Sequence, residues 1–171
     1  MCWCQVKKIL YQLWSFFDNL TKKSAAYAKA VLKAKSLNLS WQGKKIKARF
    51  QKACRTRWLS TNRAIEEVNE DSEALTMVLK SFKDGDATAT GLLKQIGNVK
   101  FLGAVYFLHD VLPVLSHISK VFQEGEISFG CIAPAIEYAF EKLDNIATEM
   151  KHLPCLKEDI GENGRLQTPL N

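Results

Sequence analysis

Acidic residues are almost absent from the first third of this 171-residue chain. Residues 1–58 contain 14 lysines and arginines but a single acidic residue, Asp18, which makes a net charge of +13. Residues 59–171 reverse the balance, with 10 basic and 17 acidic residues and a net charge of −7. So uneven a distribution is typical of a chain that attracts nucleic acid, or of one whose two parts pair with each other. Solvated lysines on helix surfaces would explain part of the excess of basic residues, but not the near absence of acidic ones over residues 1–58.

Other absent signals each argue against a class of protein. No apolar run approaches the ~18 residues of a membrane-spanning helix, so we expect no membrane partner. Residues 1–8 lack the basic leader and uninterrupted apolar run of a secretory signal. The five cysteines are irregularly spaced, which argues against a disulfide framework and favours a reducing compartment. No glycine-rich phosphate loop or nucleophile–base arrangement is recognisable, so we expect no enzyme activity.

Candidate metal ligands are scattered along the chain, and we expect neither a metal nor another cofactor. His109 and His117 are eight residues apart and fit one helix face, but no third ligand lies near them in the sequence. Cys2 and Cys4 also lack the partners of a zinc site. The acidic pairs within residues 66–71 suit a solvated helix face better than a two-metal site.

Apolar residues recur at steps of three and four along most of the chain. This spacing predicts an all-α protein, an irregular bundle of about six or seven helices. The first predicted helix, over 6–20, has the apolar stripe Val6, Ile9, Leu10, Leu13, Trp14, Phe16, Phe17 and Leu20. Further helices are predicted over 24–35, from Ser60 to Phe82 in two pieces, and over 87–96, 101–122 and 133–150.

Several local details of this bundle are open to test. Residues 44–57 alternate like a strand near their start but also fit a helix, which we favour because the neighbouring segments are helical. Ser60 is expected to cap the helix that follows, and Asp71 or Ser72 the next one.

The pattern from Phe101 to Phe122 is apolar over much of its circumference, which predicts the most buried helix of the bundle. Pro113 lacks a backbone N–H and is expected to kink or split this helix near residues 110–112. The last helix is expected to bury Ile132, Ile136, Phe140, Leu143 and Ile146. We predict one domain, formed by a basic helical segment and loop (1–58) and an acidic and apolar bundle (59–153), followed by a disordered tail (154–171).

The stretch from Cys54 to Ser60 joins the basic and acidic parts of the chain. It places Trp58 directly after Arg57, and a guanidinium beside a large π-face suits phosphate contact with base stacking. The alternative is a core tryptophan whose neighbouring arginines extend into solvent. We favour stacking because the flanking arginines make burial awkward. The predicted nucleic-acid-binding residues are Lys44, Lys45, Lys47, Arg49, Lys52, Arg55, Arg57 and Trp58.

Three blocks of this sequence resemble hAT-family DNA transposases. The first is Lys52–Ser60 followed by Ala64–Val68, which is similar to the Arg-Trp signature of that family. The others are Lys100–Leu102 with Phe107–Pro113, and Leu115–Gln123. The resemblance covers roughly residues 5 to 150. The blocks are similar in particular to transposase-derived vertebrate and invertebrate proteins often labelled zinc-finger-like.

The resemblance implies that this region is the all-helical insertion of an RNase H-like catalytic domain, whose three metal-binding acidic residues lie largely outside it. It therefore implies a catalytically inactive, truncated or domesticated nuclear protein that binds DNA, with Trp58 holding the DNA and Arg57 as its phosphate partner. The sequence departs from the family at the Cys-x-x-His pair, because neither Cys2 nor Cys4 is followed three residues later by histidine. The alternative function is a helical interaction module that associates with itself or with other transposase-like chains.

Overall fold

The computed structural model describes residues 2–18, 21–36, 49–52, 58–123 and 129–149. These residues form seven α-helices and no β-strand, which confirms the predicted all-α irregular bundle. The helices are α1 (Trp3–Asp18), α2 (Thr21–Ser36), α3 (Trp58–Glu70), α4 (Ser72–Phe82), α5 (Ala87–Ile96), α6 (Val99–Val121) and α7 (Phe129–Glu149).

Two of the helices begin at residues whose side chains cap free backbone N–H groups. The Asp86 carboxylate accepts hydrogen bonds from the backbone N–H of Thr88 at 2.8 Å and of Ala89 at 3.4 Å. The Asn98 side chain accepts from the backbone N–H of Lys100 at 2.9 Å. Such caps satisfy donors that have no partner within the helix. The bounds predicted for α5 are confirmed.

The start of α3 and the segment before it differ from the predictions. Because α3 begins at Trp58, Ser60 lies inside the first turn and is not the cap. Asp71 occupies the cap position of α4 but makes no side-chain cap hydrogen bond, and its carboxylate instead contacts Tyr27 and Lys35 of α2. Residues 49–52 are not helical, so the favoured helix over 44–57 is wrong there. The rest of that range before Trp58 lies outside the described residues.

The apolar face of α1 forms the centre of the main core. Its buried residues recur at helical spacing and are Val6, Ile9, Leu10, Leu13, Phe16 and Phe17. The helix contacts α2, α3, α5 and α6, and the main core draws residues from α1 to α6. One helix therefore contacts four others.

Helix α6 is less buried than the sequence indicates. It packs chiefly on α3 and α7, and its buried residues are Phe101, Val105, Leu112, Val114 and Ser116. Phe107 is 60% exposed and Phe122 41% exposed. The prediction that this helix is the most buried of the bundle is wrong, because α6 buries five of its 23 residues and α1 buries six of its 16. The helix runs through Pro113, which is exposed, so the proline does not split it.

Helix α6 also has the length and composition of a membrane-spanning helix. An 18-residue window within it has a mean hydropathy of 1.4, and 28% of that window is buried inside the protein. Among the described residues no other helix meets this criterion, which the core helices of soluble proteins also meet. The absence of a membrane partner stays a prediction.

Helix α7 buries little of its predicted apolar stripe. Within the described part of the chain it contacts no helix other than α6. Its buried side chains are those of Ala135 and Ala139, whereas Ile136 is 39% and Phe140 71% exposed. The predicted burial of Ile136 and Phe140 is wrong because, among the described helices, only α6 covers α7. Ile132, Leu143 and Ile146 are half-buried, and the predicted tail lies outside the described residues.

A buried polar group connects α2 to the start of α4. The Tyr27 hydroxyl donates a hydrogen bond to the Asp71 carboxylate at 2.9 Å, and Lys35 Nζ lies 2.8 Å from the same carboxylate. Burial, and then the Asp71 charge, raise the pKa of the Tyr27 phenol far above its ordinary value. The basic and acidic parts of the chain thus pair with each other at this point, which is one of the two alternatives that the charge distribution left open.

A second pair connects α2 to the start of α5. Lys23 Nζ lies 2.5 Å from the Asp86 carboxylate and 3.8 Å from the ring centroid of Phe16. The hydrogen bond from Lys23 lowers the pKa of the Asp86 carboxyl below its ordinary value. The side chain that caps α5 therefore also fixes α2 against it.

We predict that Lys35→Met lowers the free energy of unfolding by ~3–5 kcal/mol, because it leaves the buried Asp71 carboxylate without its cation. Tyr27→Phe, which keeps that cation, should cost about 1.5–3 kcal/mol. Urea unfolding measures both values. Lys29→Met, at an exposed position of the same helix, is the control. If Lys35→Met lowers the free energy of unfolding no more than Lys29→Met does, the stabilising role proposed for the Lys35–Asp71 pair is contradicted.

We predict that Asp86→Asn destabilises the protein at neutral pH and not in strong acid. Asparagine caps helices well, so the loss comes from the charge interaction with Lys23. Because the folded pKa of Asp86 is lowered, its stabilisation is present above the unfolded pKa and disappears as pH falls through the folded pKa. Urea unfolding of both proteins from neutral pH to about pH 2 tests this. A difference that does not change with pH would show that the cap, not the charge, is responsible.

Candidate nucleic-acid interface

Most of the predicted nucleic-acid-binding residues lie outside the described part of the chain. These are Lys44, Lys45, Lys47, Arg55 and Arg57. Trp58 begins α3, and the position of its side chain is likewise not described. The two described members are Arg49 and Lys52, and both lie in the segment 49–52.

The segment 49–52 is attached to the core at two points. The Phe50 side chain is 3% exposed, and its ring centroid lies 6.0 Å from that of Phe17 and 6.1 Å from that of Tyr27. The backbone N–H of Gln51 donates to a carboxylate oxygen of Glu67 at 2.6 Å. One residue thus inserts between α1 and α2 while the next binds α3. These attachments to separate helices explain why a helix does not form here.

Arg49 and Lys52 extend from this segment along α1. A guanidinium nitrogen of Arg49 lies 3.1 Å from the Asp18 carboxylate, and the Arg49 side chain is 76% exposed. Lys52 is exposed, and its Nζ lies 4.2 Å from the ring centroid of Trp14. Asp18 follows Trp14 by one helical turn, so the two cations contact one face of α1. An exposed ion pair of this kind contributes little to stability and leaves the guanidinium accessible.

That face of α1 has alternating aromatic and basic side chains. Trp3, Lys7, Tyr11 and Trp14 follow one another at steps of four, four and three residues, which places them on one side of the helix. We call these four residues the α1 stripe. Lys7 Nζ lies 4.7 Å from the Trp3 ring centroid, and the Tyr11 and Trp14 centroids are 5.4 Å apart. With Lys52 above Trp14, an ammonium group lies beside the ring at each end of the stripe.

The three rings of the α1 stripe differ in exposure. Tyr11 is 51% exposed, whereas Trp3 and Trp14 are half-buried and pack against the edge of the main core. Tyr11 also borders a cavity of about 260 Å³, which Lys23 and Thr88 help to line. The most accessible ring is therefore next to open space.

The sequence analysis did not identify the α1 stripe as a candidate site. The apolar stripe predicted for the first helix includes Trp14, and the half-buried Trp14 ring does pack against the core. The missed signal is a second set of steps of three and four, made of aromatic residues and a lysine and adjacent to the buried stripe. Burial of one helix face does not require burial of the large rings at its margin, because tryptophan and tyrosine also suit partly exposed positions.

Exposed lysines of α2 add to the positive charge of this part of the protein. Lys22, Lys29 and Lys33 are exposed, whereas Lys23 and Lys35 pair with acidic residues of the bundle. Part of the charge of residues 1–58 is thus neutralised internally. The lysines that stay exposed add positive charge to the surface of α2.

The candidate metal ligands of the sequence are not brought together. In the part of the chain that the structure describes, no group of three or more histidine, cysteine or acidic side chains is placed to hold a metal ion. His117 packs against Tyr138 with 5.0 Å between ring centroids, and His109 lies 4.0 Å from Asp110. Cys2 and Cys4 are exposed thiols.

No protein-family model, no curated protein and no solved structure matches this chain. The relation to hAT transposases that the Arg-Trp segment suggests therefore stays a prediction.

Proposed function

We propose that this protein is a catalytically inactive, transposase-derived DNA-binding protein of the nucleus. DNA would be bound by the basic N-terminal segment and the element Arg57-Trp58. The observation that supports this most directly is the position of Arg49 and Lys52, which extend from a segment attached to the core and lie along a face rich in aromatic rings. Two cations held in this way can replace condensed counterions on the phosphate backbone.

The start of α3 also suits a phosphate partner. The helix begins at Trp58, so the Arg-Trp element leads into a helix N-terminus. The positive end of a helix dipole favours phosphate. Arg55 and Arg57 precede this end in the sequence, and guanidinium groups bind phosphate oxygens in a bidentate manner. We propose Arg57 as the phosphate partner and Trp58 as a stacking residue.

We propose no catalytic role for the described carboxylates. The resemblance to hAT transposases assigns the metal-binding acidic residues to the RNase H-like core rather than to this helical region. Three carboxylates near the basic segment have structural contacts instead. Asp71 binds Lys35 and Tyr27, Glu67 binds the backbone of Gln51, and Glu66 accepts from Asn62 at 2.8 Å.

We predict that Lys52→Gln weakens duplex DNA binding and reduces the slope of log affinity against log salt by about one. Fluorescence anisotropy with a labelled duplex, measured over a salt series, gives that slope. Lys142→Gln on α7 is the matched control and should leave the slope unchanged, since α7 contacts the bundle through α6. Equal slopes for both variants, or binding that does not depend on salt, would contradict the proposal.

A second candidate function, a self-association module, is favoured by the hairpin of α6 and α7. Eight large hydrophobic side chains are exposed among the described residues, and five of them lie on this hairpin: Phe107, Phe122, Ile136, Tyr138 and Phe140. Exposed apolar side chains concentrated on one element are typical of protein–protein contact surfaces. A two-fold contact between two hairpins would cover the open side of α7 in both copies.

If the hairpin mediates self-association, Phe140→Ser should abolish it and leave the thermal midpoint of the monomer unchanged, because Phe140 is 71% exposed. Sedimentation velocity over a concentration series measures the oligomeric state. Met77→Ser, which alters an exposed hydrophobic residue of α4, is the control. A wild-type protein that remains monomeric at the highest soluble concentration would exclude this candidate.

A further inference from the structure

We propose that the α1 stripe, together with Lys52, is a binding site for single-stranded nucleic acid, whose unpaired bases stack on the exposed rings. The inference rests on the proposed DNA binding and adds the form of the ligand and the residues that select it. The stripe lies within the basic segment 1–58, but none of its four residues is among the nucleic-acid-binding residues that the sequence predicts.

The dimensions of the stripe suit a short single strand. Trp3 and Trp14 are 11 residues apart, which corresponds to about 16 Å along a helix. A nucleic-acid strand that rises about 3.4 Å per nucleotide covers this length with about four or five nucleotides. Lys7 lies beside Trp3 at one end, and Lys52 beside Trp14 at the other. Ammonium groups at both ends can contact phosphates while the rings between them face bases.

The chemistry of the stripe favours unpaired bases over a duplex. Aromatic rings bind bases by their π-faces, and these faces are accessible only where bases are not stacked within a helix. Reading a duplex through the major groove requires hydrogen-bonding side chains aimed at base edges. The α1 stripe has two tryptophans and a tyrosine in their place. A duplex would therefore contact only the cations of this surface.

Tyr11 is the residue on which the preference depends most. Its ring is the most exposed of the three and borders the cavity between α1, α2 and α5, so a base stacked on it has adjacent space. Trp3 and Trp14 pack partly against the core and have a lysine beside one face, which limits their contribution. Removal of the Tyr11 ring should change binding without disturbing the fold, because half of the ring is already in solvent.

The test uses the full chain and a labelled oligothymidine of about 12 nucleotides, a length within the range of known single-strand sites. We expect Tyr11→Ala to weaken binding of this oligonucleotide by about 5- to 150-fold, the equivalent of one base–aromatic stack of ~1–3 kcal/mol. The salt dependence should not change, because no cation is removed. Tyr11→Phe should retain affinity, and Met77→Ala, which removes an exposed apolar side chain of α4 outside both proposed surfaces, is the control. Duplex binding should be the same in all variants.

The outcomes separate this inference from the proposed function. Tyr11→Ala that binds oligothymidine as tightly as the wild type, while duplex binding persists, would overturn the single-strand site and leave DNA binding intact. Failure of the wild-type protein to bind either form would overturn both. Both would also be overturned if the protein binds vesicles of anionic lipid through α1 but binds no oligonucleotide. Tryptophan, tyrosine and lysine also suit a membrane surface. A Tyr11→Ala variant with a lowered melting temperature would also count against the site, because it would show the ring to be structural.

Discussion

The burial of Tyr27 is the constraint on which the rest of this arrangement depends. Its ring packs 4.8 Å from that of Phe17 and 6.1 Å from that of Phe50, and its hydroxyl binds Asp71. One side chain of α2 thereby contacts α1, the segment 49–52 and the start of α4. Because an apolar ring and a polar tip are both satisfied, the site selects tyrosine over either phenylalanine or a smaller polar residue. Lys35 neutralises the buried Asp71 carboxylate that accepts the Tyr27 hydrogen bond.

This constraint also positions the candidate interface. Phe50 packs beside Tyr27. In the same short segment, Arg49 contacts Asp18 of α1 and Lys52 contacts Trp14 of the α1 stripe. Structural packing and the proposed function thus share one segment. The lysines of α2 fall into two groups. Lys23 and Lys35 pair with acidic residues of the bundle, whereas the others lie at the surface. A high positive charge alone does not distinguish these two groups.

The hairpin of α6 and α7 lies outside the main core. Val114, Ala135 and Ala139 are buried where the two helices meet, but none belongs to the cluster that α1 organises. Small side chains at a helix contact permit close approach and bury little apolar area, so the contact contributes less than the main core. The apolar side chains that remain exposed on α7 are the reason to regard the hairpin as a contact surface. The nucleic-acid and hairpin surfaces involve different helices and can be tested independently.

The helices themselves were determined by the sequence, because periodicity and capping act within a few residues. The bounds of α5 and the apolar face of α1 illustrate this. The tertiary structure decided which apolar stripes are enclosed, since burial requires a partner helix distant in sequence, and α7 lacks a second one among the described helices. For the same reason the sequence predicted Arg49 and Lys52 as binding residues but not the α1 stripe beside them. Their proximity arises from Phe50 packing against Phe17 and Tyr27, which are 33 and 23 positions away in the sequence, and no local pattern encodes such a contact.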